Sequence, residues 1–263
     1  MSDIPSVSTH VRSELDDGLL QIVLARPDKL NALLGETLDG IATLLRWAAV
    51  QPSVRCVLLW AEGKVFSVGD DLRGMGPRMG VESDEAECID SYPHVVAEIV
   101  RLRKPVVVAL HGAVYGAAME IALACDLRVG DRTVVYGPVY AEHAFASGTS
   151  LLPMFVGVPA ARRLLLLAEP VDADKALELG LLDELTEPGE ALAVATELAR
   201  RLAHGPTRAY GLIKSALLEG VGRGLLENLH TEENISYVSL TADDAHEGKR
   251  AFAEKRAPIY RGT

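Results

Sequence analysis

A chain of 263 residues, 49% hydrophobic and 24% charged, has the make-up of a soluble globular protein and the length for one large core with an appendage. The formal net charge of −11 argues against a nucleic-acid partner, because phosphate binding needs clustered Lys and Arg; a local basic patch can still hold a phosphorylated ligand. No apolar run reaches the roughly 18 residues of a membrane span, the first ten residues lack a signal-peptide core, and Cys56, Cys88 and Cys125 are too scattered for a disulfide framework or a metal site, which together point to a cytoplasmic protein.

Residues 19–25 form a short apolar run closed by Arg26-Pro27, which predicts a strand and a turn. Leu34, Leu38, Ile41, Leu45 and Ala48 recur at helical spacing, so 34–50 reads as an amphipathic helix. Residues 54–60 predict a buried strand. The stretch 81–90 is acidic and becomes helical through 95–100. Residues 105–110 predict a strand, 117–124 a buried helix and 127–129 a further strand. This alternation gives the α/β class. From about residue 160 the pattern turns helical, with helices expected over 190–204, 207–219, 225–240 and 242–254. The glycine-rich segment 220–224 follows a helical run rather than a strand, so it reads as a loop between helices and not as a dinucleotide loop.

The densest chemical signal is His111-Gly112-Ala113-Val114-Tyr115-Gly116-Ala117-Ala118-Met119-Glu120. A strand, a turn of small residues and a helix N-terminus make a place for negative charge. The first N–H groups of a helix lack internal partners, and the helix dipole adds positive potential there. Glu120 falls in the first helical turn among small and apolar neighbours, where a carboxyl is open to a perturbed proton affinity. An anion site beside a carboxylate suggests enolate chemistry.

This segment and Phe66-Ser67-Val68-Gly69-Asp70-Asp71-Leu72 together resemble the crotonase family, the enoyl-CoA hydratase/isomerase superfamily. The first looks like that family's Asn/His-Gly-x-x-x-Gly-Gly-Gly-x-Glu loop and the second like its Phe-x-x-Gly-x-Asp-Leu loop. Arg26-Pro27 through Asn31-Ala32-Leu33, Ala176 through Gly180-Leu181-Leu182, and Glu247-Gly248 through Ala251-Phe252-Ala253-Glu254-Lys255-Arg256 are similar to three further family segments, in the same order. The resemblance implies an α/β spiral of β-β-α repeats over 1–195, which holds the CoA and acyl site. It also implies a C-terminal helical region over 196–263 that packs between subunits of a homotrimer or homohexamer.

The resemblance also assigns roles. The backbone N–H groups of Asp70 and Ala117 would form an oxyanion hole, with Ala117 and Ala118 standing where the family has glycine. Glu120 matches the first catalytic glutamate. The second is open: ungapped counting from Cys125-Asp126 puts Tyr140 there, Glu142 is the nearby carboxylate, and His143 is a third candidate. Coenzyme A, as part of the substrate rather than a separate cofactor, would lie along Arg26, Lys29 and Leu30 and along Val68, Gly69, Asp71 and Leu72. Arg73 is a further nearby cation, and Phe252 and Lys255 would reach the adenine of a neighbouring subunit. The stretch 74–93 would wall the acyl pocket. The implied function is an acyl-CoA-processing enzyme, with enoyl-CoA hydratase leading. A site with one carboxylate would equally suit an isomerase, a decarboxylase or a thioester hydrolase. A CoA-binding or assembly protein with little turnover is the non-enzymatic alternative.

Overall fold

The computed structural model describes residues 3–73 and 92–263. The chain opens with strands β1 (Val11–Asp16) and β2 (Leu19–Leu24), an antiparallel hairpin. Its two-residue turn, Asp17-Gly18, has positive φ at both positions (46° and 81°), as the right-handed twist of a tight hairpin demands. The sequence reading missed β1. It is an edge strand whose side chains alternate buried and solvated, so its apolar content is low.

From β2 onward one pattern repeats: a strand in a large sheet, a short strand or bridge in a second sheet, then a helix. β2 leads to Leu33 and α1 (Gly35–Val50). β3 (Cys56–Ala61) leads through Ser67 and Asp70 and on to α2 (Tyr92–Arg101). β4 (Val106–Leu110) leads to β5 (Ala113–Tyr115) and α3 (Ala117–Ala124). β6 (Leu127–Asp131) leads to β7 (Val135–Gly137) and α4 (Leu152–Leu167). Then follow β8 (Val171–Asp172), α5 (Ala173–Glu178), β9 (Glu184–Thr186) and α6 (Ala191–Ala203). The large sheet runs β1-β2-β3-β4-β6-β9, parallel from β2 on, and the small sheet β5-β7-β8. Single bridges, Ser67 to Val114 and Leu33 to Asp70, continue the small sheet toward the N-terminus. This is the β-β-α spiral that the resemblance implies.

The large sheet is covered on both faces, which is why its parallel strands read as unbroken apolar runs. Val57, Leu59, Val106, Val108 and Leu110 face the main core with α1, α2 and α3, while Cys56, Leu58, Val107 and Ala109 face the other way. That second face packs on Ala191, Ala195, Ala199 and Ala203 of α6, a stripe of small side chains repeating every four residues. The expected division at residue 195 falls inside this helix. Cys56 and Cys125 are buried free thiols.

α7 (Thr207–Glu219), α8 (Leu225–Leu240) and α9 (Asp243–Glu254) form the tail, and 220–224 joins two helices as the sequence reads. Lys214 of α7 ties back to Asp126 at 2.8 Å. Glu247 holds Arg256 and accepts from the Ile259 N–H at 3.0 Å, and Asp244 accepts from the N–H groups of Arg261 and Gly262. The C-terminal motif thus fastens the chain's end onto α9. α4 begins at Leu152, earlier than the expected helical onset near 160, because Gly157 (φ 75°) and Pro159 interrupt the periodicity with a kink. Among the described residues no helix is long and apolar enough to cross a membrane.

Asn31 is the polar pin of the first turn. It is buried, has φ +52°, donates to the Glu62 and Val65 carbonyls at 2.7 and 3.0 Å, and accepts from the Arg26 N–H at 3.0 Å. Replacing it strands three backbone groups and puts a Cβ-bearing residue of poorer left-handed tolerance at positive φ. We expect Asn31→Ala to lower unfolding stability by about 3 kcal/mol, read as a lower urea midpoint at unchanged slope.

Candidate active site

The site begins with a hydrogen-bond relay between two loops. The Ser67 hydroxyl donates to the Asn31 carbonyl at 2.7 Å and accepts from the Gly69 N–H at 3.1 Å. Leu33 N–H then donates to the Gly69 carbonyl at 2.8 Å, and Asp71 N–H to the Leu33 carbonyl at 2.8 Å. The chain has no cis peptide among its described residues, so in the 69–70 peptide the N–H opposes the C=O. With the Gly69 carbonyl held by Leu33, the Asp70 N–H points away from Leu33.

Gly69 sits at φ +87°, and a Cβ there would come within 2.7 Å of the Tyr115 carbonyl oxygen and 3.4 Å of the Ala117 nitrogen. The first loop therefore lies directly against the start of α3. Ala117 is the first residue of that helix, and Gly116 before it takes φ 51°, ψ −124°. Met119 and Glu120 N–H groups both turn back to the Gly116 carbonyl, at 2.9 and 3.3 Å, while the Ala117 N–H has no acceptor among the described residues. The two peptides named from the resemblance thus lie in adjoining segments, one of them at a helix N-terminus where the dipole favours negative charge. The conformational demand falls on Gly116, so an alanine at 117 keeps both its helical backbone and its N–H.

Glu120 is 2% exposed, and its Oε1 has no hydrogen-bond partner among the described residues. Burial raises its carboxyl to about 7. Tyr140 is 6% exposed and its phenolic oxygen is likewise unpartnered. Burial and then the neighbouring Glu120, Tyr92 and Asp70 keep that phenol protonated far above neutral pH. The ring is confined: a Cβ at Gly148 would reach it at 2.7 Å, and one at Gly116 at 3.8 Å. Among the three candidates for the second position, Tyr140 turns inward. Glu142 and His143 are exposed on the short turn Ala141–His143, because Ala144 in left-handed backbone closes that turn outward. The ungapped count locates the inward residue; the re-routing that would bring Glu142 inward does not occur.

On the outer rim, Arg26 pairs with Asp71 at 2.7 Å and donates to the Ala32 carbonyl at 3.1 Å. Val68 N–H donates to the Leu30 carbonyl at 3.2 Å, joining the two loops, and Lys29, Leu30, Leu72 and Arg73 are exposed along their edge. Phe252 is 88% exposed at the end of α9, and Lys255 caps that helix in left-handed backbone. Of the expected acyl-pocket stretch 74–93, only Tyr92 and Pro93 lie within the described residues.

The Enoyl-CoA hydratase/isomerase family model matches residues 14–263. The chain belongs to that family. A Bacillus subtilis (strain 168) protein named as an enoyl-CoA hydratase/isomerase is 32% identical over 247 residues, covering 92% of this chain and 94% of the relative. The 1,2-epoxyphenylacetyl-CoA isomerase of Escherichia coli (strain K12) is 29% identical, covering 96% and 98%. A crystal structure from Streptomyces coelicolor A3(2), named as an enoyl-CoA hydratase, superposes with a TM-score of 0.91 at 34% identity, covering 100% of this chain and 98% of that one. The chain is accordingly an acyl-CoA-processing enzyme of the hydratase/isomerase family.

Sequence reasoning missed the positioning residues. Asn31 and Ser67 lay inside the matched segments, yet nothing in either segment alone signals that one bonds the other. Tyr92 lies in the 74–93 stretch expected to wall the acyl pocket, but nothing in the sequence singles it out within that stretch.

The buried carboxyl of Glu120 has a stability consequence. Below about pH 4.5 both folded and unfolded chains hold it neutral; as pH rises toward 7 only the unfolded chain ionises it, so stability falls. Above about pH 7 the cost levels off at roughly 3 kcal/mol. We expect Glu120→Gln to raise Tm at pH 8 and to lose that advantage progressively toward pH 5, in a calorimetric pH series.

Proposed function

We propose that this enzyme adds water to a 2-enoyl-CoA. The reading is supported by the close approach of the 69–70 peptide to the start of α3, beside a buried carboxyl and a buried phenol without hydrogen-bond partners among the described residues. The thioester oxygen accepts from both N–H groups, which stabilise it more strongly as it gains enolate charge; each donor contributes about 3 kcal/mol in comparable sites. A water accepts from the Tyr140 phenol and donates to Glu120. Glu120 takes the water's proton as the oxygen bonds the β-carbon, the π electrons move onto the thioester oxygen, and the proton returns from Glu120 to the α-carbon. A pKa near 7 suits both halves of that exchange.

One observation favours a second reading. With Glu142 exposed, Glu120 is the one carboxylate at a family catalytic position facing the pocket. A single base that moves a proton from the α- to the γ-carbon would make the enzyme a double-bond isomerase. Coenzyme A, on either reading, follows the 26–30 turn and the 68–72 loop, with Lys29 and Arg73 as exposed cations for its phosphates. Two buried free thiols suit a reducing compartment, and we place the enzyme in the cytoplasm.

Incubation with matched 2-enoyl- and 3-enoyl-CoAs in ¹⁸O water, followed by mass analysis, separates the two. Hydration adds labelled oxygen; isomerisation interconverts the substrates without it. Glu120→Gln should lower turnover at least about a hundredfold with KM little changed, and wild-type kcat/KM should rise with pH through about 7 as the base ionises. A fully active Glu120→Gln variant would sink both readings.

We also propose a homotrimer or homohexamer. α8 buries none of its residues within the chain and exposes Leu225, Leu226, Leu229, Tyr237 and Leu240, more apolar surface than a lone helix face leaves in water. Phe252 and Lys255 would then act on a neighbour's coenzyme A. Light scattering at micromolar concentration should return three or six times 28.2 kDa, and a stable monomer would remove that role for both residues.

A further inference from the structure

We propose that the Asp70 side chain, together with Glu120, makes the acyl end of the site a carboxylate-lined pocket that accepts uncharged acyl groups and rejects acyl chains ending in a carboxylate. The inference rests on the reading above, in which the thioester oxygen takes the Asp70 and Ala117 N–H groups.

Backbone geometry sets the direction. Asp70 bridges Leu33, and neighbouring side chains on such a strand leave opposite faces. Asp71 turns to Arg26 at 2.7 Å, so Asp70 projects to the other face. There it comes within electrostatic reach of the Tyr140 phenol, which Glu120 and Tyr92 also face. Asp70 comes from the loop after β3, Glu120 from α3, Tyr140 from the turn after β7 and Tyr92 from α2. A thioester oxygen that takes the Asp70 N–H leaves the Asp70 carboxylate on that other face, toward the acyl pocket.

Charge then decides what fits. Burial raises the Asp70 carboxyl to about 6, so it is ionised at pH 7.5, and Glu120 at about 7 is largely so. Among the described residues no cation relieves either group or Tyr140. Arg26, on the neighbouring turn, is spent on Asp71 and a carbonyl. A third carboxylate brought into this low-dielectric space meets two like charges that water no longer screens. An uncharged acyl group meets a phenol donor and a carboxylate acceptor instead.

The test uses two saturated esters that hydration cannot consume, pentanoyl-CoA and glutaryl-CoA, which differ at the chain end. Calorimetric titration of the full chain at pH 7.5 should show pentanoyl-CoA binding at least about tenfold tighter. Asp70→Asn keeps the backbone N–H and the side-chain shape, and should narrow that ratio at least about threefold; Asp70→Ser should do the same if the asparagine variant fails to fold. Equal affinities in the wild type, or an unchanged ratio in a folded variant, overturn the inference. If that happens while 2-enoyl-CoA hydration persists, only this inference falls. If neither ester binds, the acyl-CoA reading beneath it falls too.

Discussion

The hydrogen bond from the Leu33 N–H to the Gly69 carbonyl fixes the direction in which the neighbouring peptide presents its own N–H. Because a trans peptide carries its N–H opposite its C=O, holding one end aims the other. Ser67 and Asn31 secure the same loop from behind, and Gly69 lets it lie against the Tyr115 carbonyl, just ahead of α3, at a distance no side chain would permit. The spiral brings this peptide alongside the first peptide of α3. Residues 33, 69 and 117 come from three successive turns of the chain, and the small sheet stacks those turns at a fixed spacing.

The site stores unfavourable electrostatics against that rigid frame. Glu120 is buried with no counter-charge among the described residues, and Asp70 is half-buried; loss of water pushes both carboxyls up. A buried charge of this kind costs stability that the large core, covered on both faces of its main sheet, offsets. The same desolvation makes every dipole aimed into the cleft count for more, the α3 N-terminus included. Alanine at 117 and 118 is compatible with this design because Gly116 alone carries the backbone conformation that a side chain would resist.

The long elements were legible because burial writes a period into the sequence. The 207–219 and 225–240 helices have the bounds read from the sequence, and the apolar runs at β3 and β4 announce a parallel sheet. Strands of two or three residues carry no period. β5 was hidden inside what reads as a turn of small residues, and β7, β8 and β9 left no signal. The same holds for the site. Glu120, Gly69 and Gly116 stood out as residue types with a chemical or conformational reason to be there, whereas Ser67 and Asn31 are common residues whose roles come from their partners.

The sequence by itself determined the α/β class, the helical tail, the two loops that meet at the site and the residue types those loops carry. These follow from local periodicity, from turn chemistry and from motif spacing, all of which act between residues close in the chain. Tertiary structure alone decided that Tyr140 faces inward while Glu142 faces out, that Arg26 is committed to Asp71, and that Glu120 is buried without a hydrogen-bond partner among the described residues for its Oε1. Those outcomes depend on which side of a turn or strand meets the core once distant segments pack. A one-residue change in that geometry reverses a side chain's direction without altering any pattern that can be read along the chain.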